Sequence, residues 1–220
     1  MTVLLVLITF LVFISIDWWM HRNEVPAAAP APAIPAYTSD YVDGFHIPAH
    51  LAYHPGHAWA LRERKNVYRV GVDEFAAFLA GRIDGIELPR PGQWLRQGQK
   101  AWSFLRHGQK SGMASPIEGE VVEINPQVAK DPTVLRSDPY QAGWLMTLHV
   151  PDEESTARNM IPRGLVRAWI HDAVERLYSR QPDLVGAVAA EGGRPVDDLA
   201  AALPGEDWAR LTGEFFLTGS

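Results

Sequence analysis

Residues 87–128 read ELPRPGQWLRQGQKAWSFLRHGQKSGMASPIEGEVVEINPQV, and residues 138–150 follow with DPYQAGWLMTLHV. Short runs of aromatic and β-branched residues alternate here with Gly and Pro, the pattern of short strands joined by turns. Strand-like pieces are expected at Ile83–Leu88, Lys100–Arg106, Gly112–Ser115 and Glu120–Ile124. Such spacing predicts a mainly β domain, a small sandwich or flattened barrel.

Upstream, His54–Gly81 (HPGHAWALRERKNVYRVGVDEFAAFLAG) reads as strand, turn, strand and short helix. Trp59–Arg62 and Val67–Val72 flank a polar turn, and Asp73-Glu74 supplies an N-cap and acidic first turn to a helix closed by Gly81. Downstream of Pro151 the period changes. Leu165, Trp169, Ala173 and Leu177 recur at helical spacing within Glu153–Arg180. Pro162 and Gly164 place the start of that helix near Arg163, and further helical pieces are expected at Val196–Leu203 and Gly205–Leu217. No repeat of solenoid period is present.

The first residues are apolar. Thr2–Trp19 is near the lower length for crossing a hydrocarbon core, with Trp18 and Trp19 at its interfacial end and Arg22 beyond. The expected organisation is therefore a transmembrane anchor over 1–22 and a Pro/Ala-rich linker and transition over 23–53. A folded domain follows over 54–151, with a helical C-terminal extension over 152–220. The expected localisation is single-pass membrane, with the soluble part cytoplasmic by the positive-inside rule. A formal charge of −6 speaks against a nucleic-acid partner. The chain has no cysteine, which excludes disulfides, thiolate metal sites and cysteine nucleophiles.

Four separated motifs, HPGHAW (His54–Trp59), VGVDEFAAFLAG (Val70–Gly81), ELPRPG (Glu87–Gly92) with PIEGEVV (Pro116–Val122), and DPYQAGWL (Asp138–Leu145), together resemble the glycine cleavage system H-protein family in order and spacing. The resemblance covers His54–Val150. It implies a lipoyl/biotinyl-like barrel-sandwich hybrid fold with a hairpin that displays a lipoylated lysine. In that family an acidic residue usually stands three places before the lysine. Counting without gaps from either flank, the lysine position falls on Gly108 and the acid position on Leu105, with Arg106 and His107 between. Lys110 is the substitute within reach. A two-residue displacement keeps the same strand face but moves the side chain about 6.6 Å along the hairpin. Lys100 lies further away on the preceding strand.

His46, His50, His54 and His57 suggest a metal cluster by number, but Pro48, Pro55 and Gly56 break any shared helix. They read as residues of an extended surface segment and a strand start, with no metal site expected. Glu118, Glu120 and Glu123 do not form a paired-carboxylate motif, and no catalytic residue is assigned. Trp102, Phe104 and Leu105 near the hairpin read either as core and edge packing or as an exposed apolar patch for a partner, and the tail with Trp169, Tyr178 and Trp208 reads either as a small helical cap or as a second contact surface. The expected function is a membrane-anchored, non-lipoylated docking or scaffold module for a protein partner, with no cofactor and no enzymatic activity. Two alternatives stand beside it: a lipoate carrier modified at Lys110, and a structural subunit of a membrane complex.

Overall fold

The computed structural model describes residues 39–179 and 208–218. Two antiparallel sheets form the body. A six-stranded sheet has the order β3 (Ala52–His54), β4 (Ala58–Arg64), β5 (Val67–Val72), β11 (Met146–His149), β10 (Gly119–Ile124) and β7 (Trp94–Leu95). A three-stranded sheet has the order β6 (Gly85–Glu87), β8 (Lys100–Arg106) and β9 (Gln109–Ala114). A separate hairpin of β1 (Ser39–Val42) and β2 (Phe45–Pro48) precedes them. The protein is mainly β with C-terminal helices, as the spacing of short strands and turns predicts.

Residues 39–53, assigned to linker and transition from sequence, are strands and turn instead. Val42, Phe45, Ile47 and Leu51 are buried in the main core, so this segment contributes apolar area that the composition of its Pro-rich neighbourhood conceals.

Trp59 shows how the core is built. Its indole is fully buried and its Nε1–H donates to the carbonyls of Val72 (2.9 Å) and Pro139 (3.2 Å), which ties β4 to the DPY turn. Gly71 is its cross-strand partner on β5. A Cβ there would lie 2.4 Å from the indole Cζ2, so the ring needs the space that glycine leaves. The helix α1 (Glu74–Ala80) forms where its cap predicts: the Asp73 carboxylate accepts the Ala76 N–H at 2.7 Å. The short helices α2 (Pro126–Lys130) and α3 (Val134–Ser137) follow β10. Asn125 caps α2 and its side-chain amide donates to the carbonyls of Ala142 and Trp144, holding the DPYQAGW turn against the sheet.

After β11 come α4 (Glu153–Thr156), a 3₁₀ turn at Arg163–Leu165 and α5 (Val166–Ser179). The helix begins where Pro162 and Gly164 place it, but the buried stripe is Ile170, Ala173, Val174 and Leu177. Leu165 is 57% exposed. Leu165 belongs to the 3₁₀ turn ahead of the α-helix, so a four-residue spacing counted from it does not follow the core face. The last element, α6 (Trp208–Phe215), packs on β9 and buries Trp208, Leu211 and Phe215. Thr2–Trp19, most of the Pro/Ala linker and the expected helix at Val196–Leu203 lie outside the described residues. Among the described residues no helix is long and apolar enough to cross a membrane.

Candidate functional site: the β8–β9 hairpin end

Strands β8 and β9 meet in a two-residue turn. Arg106 pairs with Gln109, and the two residues between them, His107 and Gly108, have φ of 46° and 78°. Two consecutive positive φ values are the signature of a type I′ turn, whose twist matches that of the flanking strands. Gly108 therefore stands at the tip of the hairpin. A Cβ added to it would meet nothing within 4 Å. The tip is anchored from the side: the carboxylate of Asp84 accepts the His107 N–H at 2.6 Å, while the Asp84 N–H donates to the Leu105 carbonyl at 2.7 Å.

The two faces of the hairpin differ. On one, Leu105 lies between Gly85 and Lys110, and Lys110 forms an ion pair with Glu87 of β6. Both charged side chains are about half exposed. The lysine nearest the tip thus reaches back along the sheet and holds a carboxylate. On the other face Phe104 lies between Ile86 and Ser111, and it is fully buried.

The C-terminal helix covers that second face. Phe216 packs edge-on to Phe104 at 5.9 Å, the Thr212 hydroxyl donates to Ser111 Oγ at 2.6 Å, and the Thr218 hydroxyl donates to the Gly112 carbonyl at 2.7 Å. Trp208 donates from Nε1 to the Ala80 carbonyl at 3.1 Å, and the Arg106 guanidinium lies 6.0 Å from its ring. Of the two readings of the apolar residues near the hairpin, core packing holds for Trp102 and Phe104, and the docking alternative is excluded for both. Trp102 and Phe104 are core residues, 2% and 0% exposed, and Leu105 alone of the three is partly open. Of the second expected surface, Trp208 is buried, while Trp169 and Tyr178 are half-buried against the core.

Two histidines expected at the surface form part of a buried cluster. His57, with a positive φ of 61°, is sandwiched between Phe75 (4.4 Å) and Trp169 (4.5 Å). Its Nδ1 lies 2.8 Å from Asp73 Oδ2, so the carboxylate that caps α1 also holds the imidazole. His54 is buried too and accepts the Gly56 N–H at 3.1 Å, and burial pushes its pKa below the ordinary histidine value. Around them the Tyr53 hydroxyl donates to the Pro48 carbonyl, and that of Tyr140 to the His46 carbonyl. Burial first, then the charge of Asp73, raises the Tyr53 pKa far above its ordinary value. Tyr53, His54 and His57 are buried, and the cluster organises packing. Among the described residues no three His, Asp or Glu side chains are arranged to hold a metal ion.

Asp84 as the clamp of the tip is not legible in the sequence, and the helix expected over Gly205–Leu217 is present as α6, but its place on the hairpin is not legible either. Asp84 carried a weak signal, an Asp-Gly pair just before the ELP motif. The cover carried none that spacing could reveal.

Comparison with known proteins agrees with this geometry. The glycine cleavage H-protein family model matches residues 51–168. The glycine cleavage system H protein of Pectobacterium carotovorum is 35% identical over 107 residues, 49% of this chain and 82% of the relative. Those of Mycobacterium leprae and Thermobifida fusca are 34% and 35% identical, covering 48% and 49% of this chain and 80% and 84% of the relatives. In fold, the crystal structure of a glycine cleavage system H protein from Mycobacterium marinum matches with a TM-score of 0.50 at 22% identity, over 58% of this chain and 99% of that one. The single-pass membrane localisation with a cytoplasmic domain, expected from the first residues, is overturned by these relatives together with the lack of any described helix long and apolar enough to span a bilayer. The matched residues include both sheets, the β8–β9 hairpin and the DPY turn, and the chain belongs to the glycine cleavage H-protein family.

Proposed function

We propose that this chain is a non-lipoylated member of its family. It works as a non-catalytic module that docks a protein partner at the hairpin end and carries no covalently attached arm. The observation behind this reading is Gly108 at the tip of the type I′ turn, where the family resemblance puts the carrier lysine. A swinging arm needs an amine at an exposed tip. Here the nearest amine, Lys110, stands two residues down β9 and is paired with Glu87. The tip itself remains presented to solvent, with His107, Gly108 and Gln109 exposed and held by Asp84. A rigid, presented turn is suited to docking because little conformational entropy is lost on contact.

The test is the intact mass of the full-length protein from its native source, with peptide mapping across 103–120. An unmodified peptide is expected. A lipoyl adduct on Lys110 would replace the docking module with a carrier. Docking is read separately by placing a photo-crosslinker at His107 in cells. A single stoichiometric adduct that disappears with Leu105→Asp is expected, and the absence of any adduct would remove the docking role.

A further inference from the structure

Among the described residues the six-stranded sheet ends at β7, a two-residue strand. Its Trp94 pairs with Glu120 of β10, which pairs in turn with His149 of β11, so the three stand in one row across the sheet. Leu95 and Val121 point inward and are buried, whereas Trp94 is 45% exposed and Val122 54%. Val122 faces outward because β10 bulges there. Val121 pairs with Leu148 and Glu123 with Thr147, which leaves Val122 as the extra residue. Beside it on the β7 side runs Gly92, whose N–H donates to the Val121 carbonyl and where an added Cβ would meet nothing within 4 Å. The indole of Trp94 and the side chain of Val122 are therefore diagonal neighbours on one open face, within aromatic reach of each other.

The same face carries acid without a counter-charge. Glu120 lies directly opposite Trp94, and Glu123 follows Val122. Both are exposed, and neither carboxylate makes a hydrogen bond or ion pair with any described residue. Arg90 and Arg96, the arginines nearest β7 in sequence, stand at the turns on either side of it, outside the paired residues. Arg96 and Glu118 flank the Leu95–Gly119 pair and offset one another in charge, which leaves Glu120 and Glu123 in excess. A carboxylate beside an open indole is an arrangement that takes a cation: the ring face attracts it, and the carboxylate accepts its N–H bonds. Nucleic acid and anionic lipid would meet like charge here. Single exposed apolar residues are ordinary on protein surfaces, but a tryptophan and a valine interleaved with two carboxylates select a definite chemistry.

We infer that this face docks a basic, extended segment of a protein partner. One Lys or Arg side chain lies between Trp94 and Glu120, an apolar side chain covers Val122, and a second cation meets Glu123. The spacing suits an extended chain. Glu120 and Val122 are two residues apart, about 6.6 Å along β10, and side chains two apart on a docked strand are separated by the same length. The face is apart from the hairpin tip. The turn after β7 leads into β8 at Lys100, and β8 runs seven residues from there, roughly 20 Å, to the turn at His107. It is a second surface, and it stands whether or not the hairpin end docks a partner.

The experiment titrates the ¹⁵N-labelled full-length chain with the end-capped peptide Lys-Ser-Leu-Ser-Lys. Lys-Ser-Ser-Ser-Lys, which lacks the apolar residue, and Glu-Ser-Leu-Ser-Glu, which reverses the charge, are the controls. Saturable shifts are expected at the Trp94 indole N–H and at the amides of Gly92, Glu120 and Val122, with His107 and Gly108 unmoved. Trp94→Ala should weaken binding about tenfold, and Trp94→Phe, which keeps an aromatic face, by less. Glu120→Gln/Glu123→Gln should weaken it about fivefold and remove most of its salt dependence. All three side chains are exposed, so the variants keep the fold, which their unshifted amides in β4 and β5 verify. Absence of saturation, equal binding by either control peptide, or undiminished binding in the variants would overturn the surface. Shifts centred on His107 and Gly108 would overturn it as well, and would assign the basic segment to the hairpin end.

Discussion

The carboxylate of Asp84 accepts the backbone N–H of His107 at 2.6 Å, and this bond joins the bend just before β6 to the tip of a hairpin twenty-three residues later. It is a charge-assisted bond to one end of a type I′ turn, and it holds the tip in one orientation. Asp84→Ala should cost about 1 kcal/mol, because the group is exposed and water replaces part of what is lost. Amide exchange at His107 and Gly108 should quicken more than exchange in the β4–β5 pair. Equal acceleration everywhere would show a general loss of stability in place of a local clamp.

Gly108→Lys tests the tip itself. No atom blocks a side chain there, so the fold should persist, but a φ of 78° strains any residue with a Cβ. A loss of about 1 kcal/mol in urea denaturation is expected. An unchanged midpoint would mean that the turn relaxes out of the left-handed region.

The C-terminal cover should be a large contributor to stability. Phe216 is fully buried against Phe104, and its removal opens a cavity between α6 and the hairpin sheet. Phe216→Ala should cost about 3–5 kcal/mol. Increased binding of a hydrophobic dye at native temperature would mark exposure of Phe104. A cost below 1 kcal/mol, on the order of a surface substitution, would show that the helix rests on the sheet without sealing it.

Gly71→Ala tests the space under Trp59. The added methyl falls within 2.4 Å of a buried ring fixed by two hydrogen bonds, so either the indole or the strand must shift. Overpacking of this kind costs about 1–3 kcal/mol. Near-UV circular dichroism should change with it, since the asymmetric setting of Trp59 is disturbed.

His171 supplies a pH dependence with a definite sign. Its Nδ1 lies 2.7 Å from Asp43 in the β1–β2 turn and its Nε2 lies 3.4 Å from Glu175. The hydrogen bond to Asp43 and its charge, then the charges of Glu175 and Asp172, raise the imidazole pKa above 6.5. Tyr178, whose own pKa is raised by burial and by Asp43, shares that field. A raised folded-state pKa means that this stabilisation is complete below the unfolded value near 6.5 and is lost as pH rises through the folded value. NMR titration should find the His171 midpoint above 6.5 and returning toward it in Asp43→Asn. A midpoint at or below the ordinary value would contradict the pairing.

The order of elements was written locally. Alternating apolar residues, Gly and Pro spacing and the Asp73 cap specify β4, β5, α1, β8 and β10 within a few residues, because turn chemistry and strand period act over short distances. Gap-free counting placed Gly108 between the two hairpin strands for the same reason. Local pattern does not say which face of a strand is covered. Whether Phe104 is core or open patch is undecided by its own strand, and Phe216, more than a hundred residues away, settles it by packing on the ring. His57 reads as a surface residue until Trp169 stacks on it, and Lys110 as a solvated lysine until β6 brings Glu87 beside it. Sequence alone determined the family, the strand order along the chain and the glycine at the tip. Tertiary structure decided which side chains are buried, which charges meet and what holds the hairpin, because those depend on contacts between segments that no local period encodes.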